Sequence, residues 1–179
     1  MNGTTAKPEW VFGYGSLIYK VDFPFLEKAV ANLENWERRF WQGSHDHRGT
    51  PAQPGRVVTL VPSPGATCKG IAYLVEPTVF EHLDYREKNG YQRISATLSL
   101  VAREQSVSGV VYVADNSNPA FMGHADDEEL AAHIDASHGP SGSNRDYLLQ
   151  LAEALREIGE HDAHVMALES RLVALNNQA

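Results

Sequence analysis

Three short stretches hold the residues whose types and spacing suit chemistry. In the first, Phe12-Gly13-Tyr14-Gly15-Ser16-Leu17, a short apolar run enters two glycines spaced by one residue. Glycine permits a tight turn and close ligand approach, and consecutive amides in such a loop cradle an anion, a carboxylate as readily as a phosphate. The third glycine and acidic residue of a dinucleotide fingerprint are missing, as is the lysine of a P-loop. Taken alone, the stretch also reads as an ordinary glycine-rich turn. The second stretch, Leu83 to Tyr91, is dense in charge and closes a helical segment whose other face is apolar. Such runs usually form solvated helix ends, unless one carboxylate turns into a cleft, where desolvation raises its pKa and makes it a usable base. The third stretch, Arg38 to Gly49, contains His45-Asp46-His47. One such cluster offers too few ligands for a metal, and no second pair supports it. No Gly-x-Ser-x-Gly surrounds Ser16, so it has no support as a triad nucleophile. Cys68, the single cysteine, lies in an apolar run and reads as an inert core thiol.

The elements that must position these residues fall into two blocks. Trp10-Val11-Phe12, Arg56 to Val61, Gly70 to Val75, the alternating Ile94, Ala96, Leu98 and Leu100, and Gly109 to Ala114 all read as strands. Arg38 to Gln42 joins them, because its aromatics are interleaved with arginines. Gly49 to Gly55 and Pro62 to Gly65 read as turns. A helix is predicted after Pro77, which suits a first helical position, with Val79, Phe80 and Leu83 on its buried face and a left-handed cap near Asn89-Gly90. The last third reads as helical: Asp126 to His138; a helix capped by Ser143, striped by Tyr147, Leu148, Leu151, Leu155 and Ile158 and closed at Gly159; and a final helix striped by Val165, Leu168, Leu172 and Leu175. Strands followed by helices suggest an α+β domain over residues 10–179, behind a short tail at residues 1–9.

The 179 residues are enough for one domain with a sizeable core. A formal net charge of −8 argues against a nucleic-acid partner. Residues 1–114 carry 12 basic and 11 acidic side chains, whereas residues 115–179 carry 3 basic and 12 acidic. The acidic surplus therefore belongs to the C-terminal helices. No apolar run is long enough to span a bilayer and no secretory signal is visible, so the expectation is a cytoplasmic chain with neither membrane nor obligate protein partner. One cysteine excludes an intramolecular disulfide framework.

Taken in order, the motifs stop being independent. Phe-Gly-Tyr-Gly-Ser-Leu-Ile is followed by Arg-Arg-Phe-Trp-Gln-Gly-Ser, Asp-His-Arg-Gly, Pro-Gly-Arg-Val-Val-Thr-Leu, Leu-Asp-x-Arg-Glu-Lys-x-Gly-Tyr, and finally Gly139-Pro140-Ser141-Gly142 with Asn144, Arg145, Tyr147 and Leu148. This series resembles the ChaC family of glutathione-specific γ-glutamylcyclotransferases, from about Trp10 to the last helix. The resemblance implies a γ-glutamylcyclotransferase-like fold, a small mixed β-barrel flanked by helices. It implies conversion of glutathione into 5-oxoproline and cysteinylglycine without cofactor or metal. It carries the catalytic glutamate onto Glu87 and the substrate-binding loop onto Tyr14, Gly15, Ser16 and Leu17. Arg39, as a partner for a substrate carboxylate, and Tyr147, which also suits a core position, are further candidates for substrate contact. His45, Tyr19, Asn89 and Gly123-His124-Ala125 depart from the family pattern, and leave both the glutamate and the glycine loop in place. A cyclotransferase for other γ-glutamyl compounds is the nearest alternative. A non-catalytic sensor of γ-glutamyl compounds and a metallohydrolase on His45 and His47 are more distant ones.

Overall fold

Two long strands set the architecture. In the computed structural model, which describes residues 6–87 and 90–177, β1 is Glu9–Gly13, β2 is Glu27–Ser44 and β3 is Gly55–Val75. Glu9, which the sequence assigns to the tail, pairs with Val75 in β1. β2 and β3 form one antiparallel hairpin, so the two strands expected at Arg56–Val61 and Gly70–Val75 are one, and Pro62 to Gly65 is not a turn between them. The turn signal marks a bulge instead. Glu34 pairs with Thr67 and Trp36 with Pro62, so Asn35 alone faces residues 63–66. Asn35 and Gly65 both take positive φ, 69° and 87°, and Asn35 Oδ1 accepts the Gly65 N–H at 3.0 Å. Asparagine and glycine are the residues that reach this backbone region at least cost, and bulges tolerate proline within a strand.

β4 (Gln92–Leu100) and β5 (Gln105–Val113) complete a closed barrel of order β1-β3-β2-β4-β5. All pairs are antiparallel except β1 with β5, where Trp10 faces Gly109. The barrel is therefore mixed. Its interior takes one face of each strand, as the period of two requires: by register Phe12, Ala31, Ala72, Leu98 and Val111 share that face, and all are almost wholly buried.

The helices cover the barrel. α1 (Val79–Arg86) follows β3, with Val79 rather than Pro77 at its first helical position and Thr78 at its N-cap, and buries Val79 and Leu83. It stops at Arg86, and Glu87 occupies the C-cap position. The cap expected at Asn89 lies outside the described residues. α2 (Asp127–Ala136) is capped by Asp126, which accepts the Glu129 N–H. After a two-stranded ribbon (β6, His138–Gly139; β7, Gly142–Ser143), α3 (Asn144–Glu157) is capped by Ser143. The stripe Tyr147, Leu148, Leu151, Leu155 is buried as its spacing requires. α4 (Ala163–Asn176) is capped by Asp162 and buries Val165, Leu168 and Leu172.

Candidate active site

A cavity of about 280 Å³ opens beside the end of β1, where the chain leaves the barrel. Its lining includes the glycine loop, the end of β2 with His45 to Arg48, Arg86 and Glu87 at the end of α1, and Tyr147 of α3. From the acidic last third only Ser141 and Tyr147 reach it among the described residues, so the surplus of carboxylates lies elsewhere.

The loop is held at several points. Tyr14 donates its phenol proton to the Tyr112 carbonyl at 2.5 Å, and its own carbonyl accepts from Arg38 Nε at 2.6 Å. The Leu17 carbonyl accepts from the Tyr73 hydroxyl at 2.6 Å. Between these anchors Ser16–Ile18 forms one 3-10 turn, with Ile18 N–H bonded to the Gly15 carbonyl. The amides of Ser16 and Leu17 head that turn, where no earlier carbonyl of the turn receives them. Gly15 is needed for space: a Cβ there would lie 2.8 Å from Val58 Cγ2 and 3.1 Å from the Tyr147 hydroxyl. The Tyr147 hydroxyl itself accepts the Val58 N–H at 3.3 Å, which leaves its proton for another acceptor.

Glu87 sits where α1 ends, at the C-cap, with its N–H still closing on the Leu83 carbonyl. Its side chain is 19% exposed. Burial raises its pKa above the usual carboxylate range, opposed by Arg86, whose Nε lies 3.9 Å away, and reinforced by Asp22. Arg86 is shared: it pairs with Asp22 at 2.7 Å and donates to Ser16 Oγ at 3.1 Å. The guanidinium thus ties the loop to the helix end while only partly neutralising Glu87. Burial also raises the phenols of Tyr14 and Tyr91, both of which feel the Glu87 charge. They stay protonated and act as donors and walls.

The structure brings Tyr14, Gly15, Ser16, Leu17, Glu87 and Tyr147 to one cavity. Arg39 is not among them. It pairs with Glu37 at 2.5 Å and lines a separate cleft of about 180 Å³, beside Cys68 and His164. Consecutive strand residues face opposite ways, and it is Arg38 that points inward, 1% exposed. Cys68 is a buried free thiol whose pKa burial pushes up to about 11. His45 and His47 line the cavity, His47 with Nδ1 3.0 Å from Ser141 Oγ. Among the described residues no group of three histidine, cysteine or acidic side chains is placed to hold a metal. Sequence reasoning left Arg48, Tyr91 and Tyr112 without a role, although all three line the cavity. Arg48 and Tyr91 were visible inside Asp-His-Arg-Gly and Gly-Tyr; Tyr112 had no signal beyond its strand.

No helix among the described residues is long and apolar enough to cross a membrane. Comparison with known proteins agrees with the geometry. The family model described as ChaC-like protein matches residues 9–175. The chain is 42% identical to gamma-glutamylcyclotransferase 2-3 of Arabidopsis thaliana, over 91% of this chain and 87% of that one. It is 37% identical to human glutathione-specific gamma-glutamylcyclotransferase 1, over 89% and 76% of the two chains. Among solved structures, a γ-glutamyl cyclotransferase specific to glutathione from yeast superposes with a TM-score of 0.88 at 31% identity, covering 94% of this chain and 97% of the other. With its barrel, its glycine loop and its glutamate assembled on one cavity, the chain belongs to the ChaC-like family.

Proposed function

We propose that this protein is a glutathione-specific γ-glutamylcyclotransferase. One observation carries the reading: Glu87, held above the ordinary carboxylate range, opens onto the same cavity as the pinned glycine loop. The relatives' names support glutathione as substrate.

The reaction suits a site with one titratable carboxylate. The α-amine of the γ-glutamyl group attacks its own side-chain amide carbon, so the nucleophile is already tethered. Well-oriented intramolecular reactions reach effective molarities of about 10⁵–10⁸ M. The protein therefore has to fix a cyclising rotamer and move two protons from the attacking nitrogen to the leaving one. Glu87 takes a proton from the ammonium, the new N–C bond closes the five-membered ring, and the tetrahedral oxyanion forms. Glu87 then returns its proton to the departing amide nitrogen as that C–N bond breaks, and the regenerated carboxylate takes the second proton from the ring nitrogen and passes it to the freed amine, which leaves as an ammonium. No water is consumed. A pKa shifted toward neutrality serves both halves, since an ordinary carboxylate is too weak a base for an ammonium. The amides of Ser16 and Leu17 and the hydroxyl of Tyr147 are the donors for the oxyanion or for the substrate α-carboxylate. Preorganised donors of this kind contribute about 3–4 kcal/mol each.

The test is product formation from glutathione and from a γ-glutamyl dipeptide, by wild type and by Glu87→Gln. The reading expects 5-oxoproline and cysteinylglycine from glutathione, much less product from the dipeptide, and none above background from the folded variant. Near-wild-type turnover by Glu87→Gln would overturn it.

A further inference from the structure

Three acceptors share the Arg86 guanidinium, and Glu87 holds the least of it. Nη1 pairs with Asp22 Oδ1 at 2.7 Å, Nη2 donates to Ser16 Oγ at 3.1 Å, and Nε stands 3.9 Å from Glu87 Oε1. The first two are hydrogen bonds; the last is longer than one. Coulomb attraction alone favours the opposite choice. Glu87 is 19% exposed and Asp22 is 46% exposed, and an ion pair is stronger where water is scarcer. The preference is therefore geometric. Ser16 opens the 3-10 turn and Asp22 lies four residues beyond it, so one short segment of chain takes both arms of the fork.

Asp22 stays ionised where Glu87 titrates. Burial alone would raise its carboxyl, but Arg86, together with His82, whose Nε2 lies 3.5 Å away, outweighs this and holds it below the usual carboxylate range. It lines the same cavity as Glu87. Lys20 and the His45-to-Arg48 segment reach that cavity too, while Tyr14 and Tyr91 meet the Glu87 charge as neutral phenols. Among the described residues, Arg86 and Asp22 are the charges that bear most on Glu87. An arginine closed on a carboxylate holds it about 1–3 pH units lower, and a carboxylate so lowered is a poor base for an ammonium.

We propose that Asp22 is a positioning residue for the reaction: by holding the Arg86 fork off Glu87, it leaves the Glu87 carboxylate free to take the ammonium proton of the substrate. The proposal rests on the cyclotransferase reading and assigns a residue to the control of its base.

The test compares wild type, Asp22→Ala and the double variant Asp22→Ala/Arg86→Gln by two readouts. One is the pH profile of kcat and kcat/KM for 5-oxoproline release. The other is a carbon-13 NMR titration of the Glu87 carboxyl without substrate, assigned by its loss in Glu87→Gln. In Asp22→Ala the freed guanidinium closes on Glu87. The acid limb of kcat/KM and the NMR midpoint should both move down by about 1 pH unit or more, and kcat at pH 7 should fall on the order of tenfold. Removing Arg86 as well should bring both values back up, with kcat recovering only in part because the loop also loses its Ser16 contact. Asp22→Asn, which keeps an acceptor and loses the charge, should give a smaller shift in the same direction and replaces Asp22→Ala if that variant fails to fold. An unmoved limb and midpoint in the folded variant, or a change confined to KM, overturns the assignment. A shift that Arg86→Gln leaves in place overturns it too. An NMR midpoint that moves as expected in a protein whose wild type releases no 5-oxoproline overturns the cyclotransferase reading alone.

Discussion

The cavity under Glu87 and the cleft at the head of α4 are linked through Arg38, which lines the cleft and donates to the Tyr14 carbonyl, and they treat charge in opposite ways. In the cleft, Arg38 pairs with Asp162, Arg39 pairs with Glu37, and His164 Nε2 accepts the Phe40 N–H at 3.1 Å. Asp162 also caps α4 by accepting the Val165 N–H. Each of these groups is spent on holding the fold together. In the cavity, Glu87 keeps a raised proton affinity beside an arginine that is shared with Asp22. Buried charges that the protein satisfies itself mark structure. Buried charges left for something else mark the place where a ligand completes the arrangement.

Substitutions separate the two regions, and the largest expected effect is in the cavity. Glu87→Gln should lower 5-oxoproline formation at least about 10²–10⁴-fold, the usual contribution of a positioned acid–base group. The same substitution should stabilise the fold at neutral pH. A carboxyl whose folded pKa is raised loses stability as pH climbs from its unfolded to its folded value, and glutamine escapes that loss. Thermal melts of both forms should therefore converge in acid and diverge toward pH 7, with the variant higher. In the cleft the pattern reverses. Arg38→Met strands Asp162 and releases the Tyr14 carbonyl, so denaturant titration should show a loss of about 3–5 kcal/mol.

Gly15→Ala tests whether the loop's backbone position matters more than its chemistry. The added methyl meets Val58 and the Tyr147 hydroxyl and must displace one of them. A misplacement of about 1 Å costs on the order of 10²-fold in rate, so kcat/KM should fall by about that factor. Circular dichroism and the melt should change little. A stable variant with unchanged kcat/KM would show that the loop only lines the site.

The smallest expected effect belongs to the cleft. Burial, aided by Arg39, lowers the His164 pKa from 6.5 to about 4. A histidine whose folded pKa is depressed contributes stability that is fully present above its unfolded value. That stability is lost as pH falls from 6.5 toward 4. The melting temperature should decline across that window, and His164→Gln should flatten the decline. The acid limb of kcat/KM, governed by Glu87, should be unchanged in His164→Gln, because the two groups serve different regions.

Much of this was legible in the sequence, for reasons that differ by element. The stripe of α3 and its Ser143 cap follow from spacing and from one hydroxyl, so both were predictable. The barrel strands were readable one by one. Proline and glycine at positions 62–65 suggested a break where the chain makes a bulge, since both events draw on the same residues and differ only in what the partner strand does opposite them. The glycine loop and Glu87 were found through ordered motifs rather than local chemistry, because neither a lone Gly-x-Gly nor a charged helix end is specific. The adjacent arginines are alike in sequence, and the strand's alternation separates them: Arg38 points in and Arg39 pairs with Glu37.

The central claim is intramolecular cyclisation rather than hydrolysis, and carbon-13 NMR of the reaction separates the two directly. Glutathione labelled at the γ-carbonyl carbon and incubated with the protein should deliver its label to the lactam carbonyl of 5-oxoproline, with cysteinylglycine in equal amount. Label appearing instead in the side-chain carboxylate of free glutamate would mean that water had attacked, and would contradict the account.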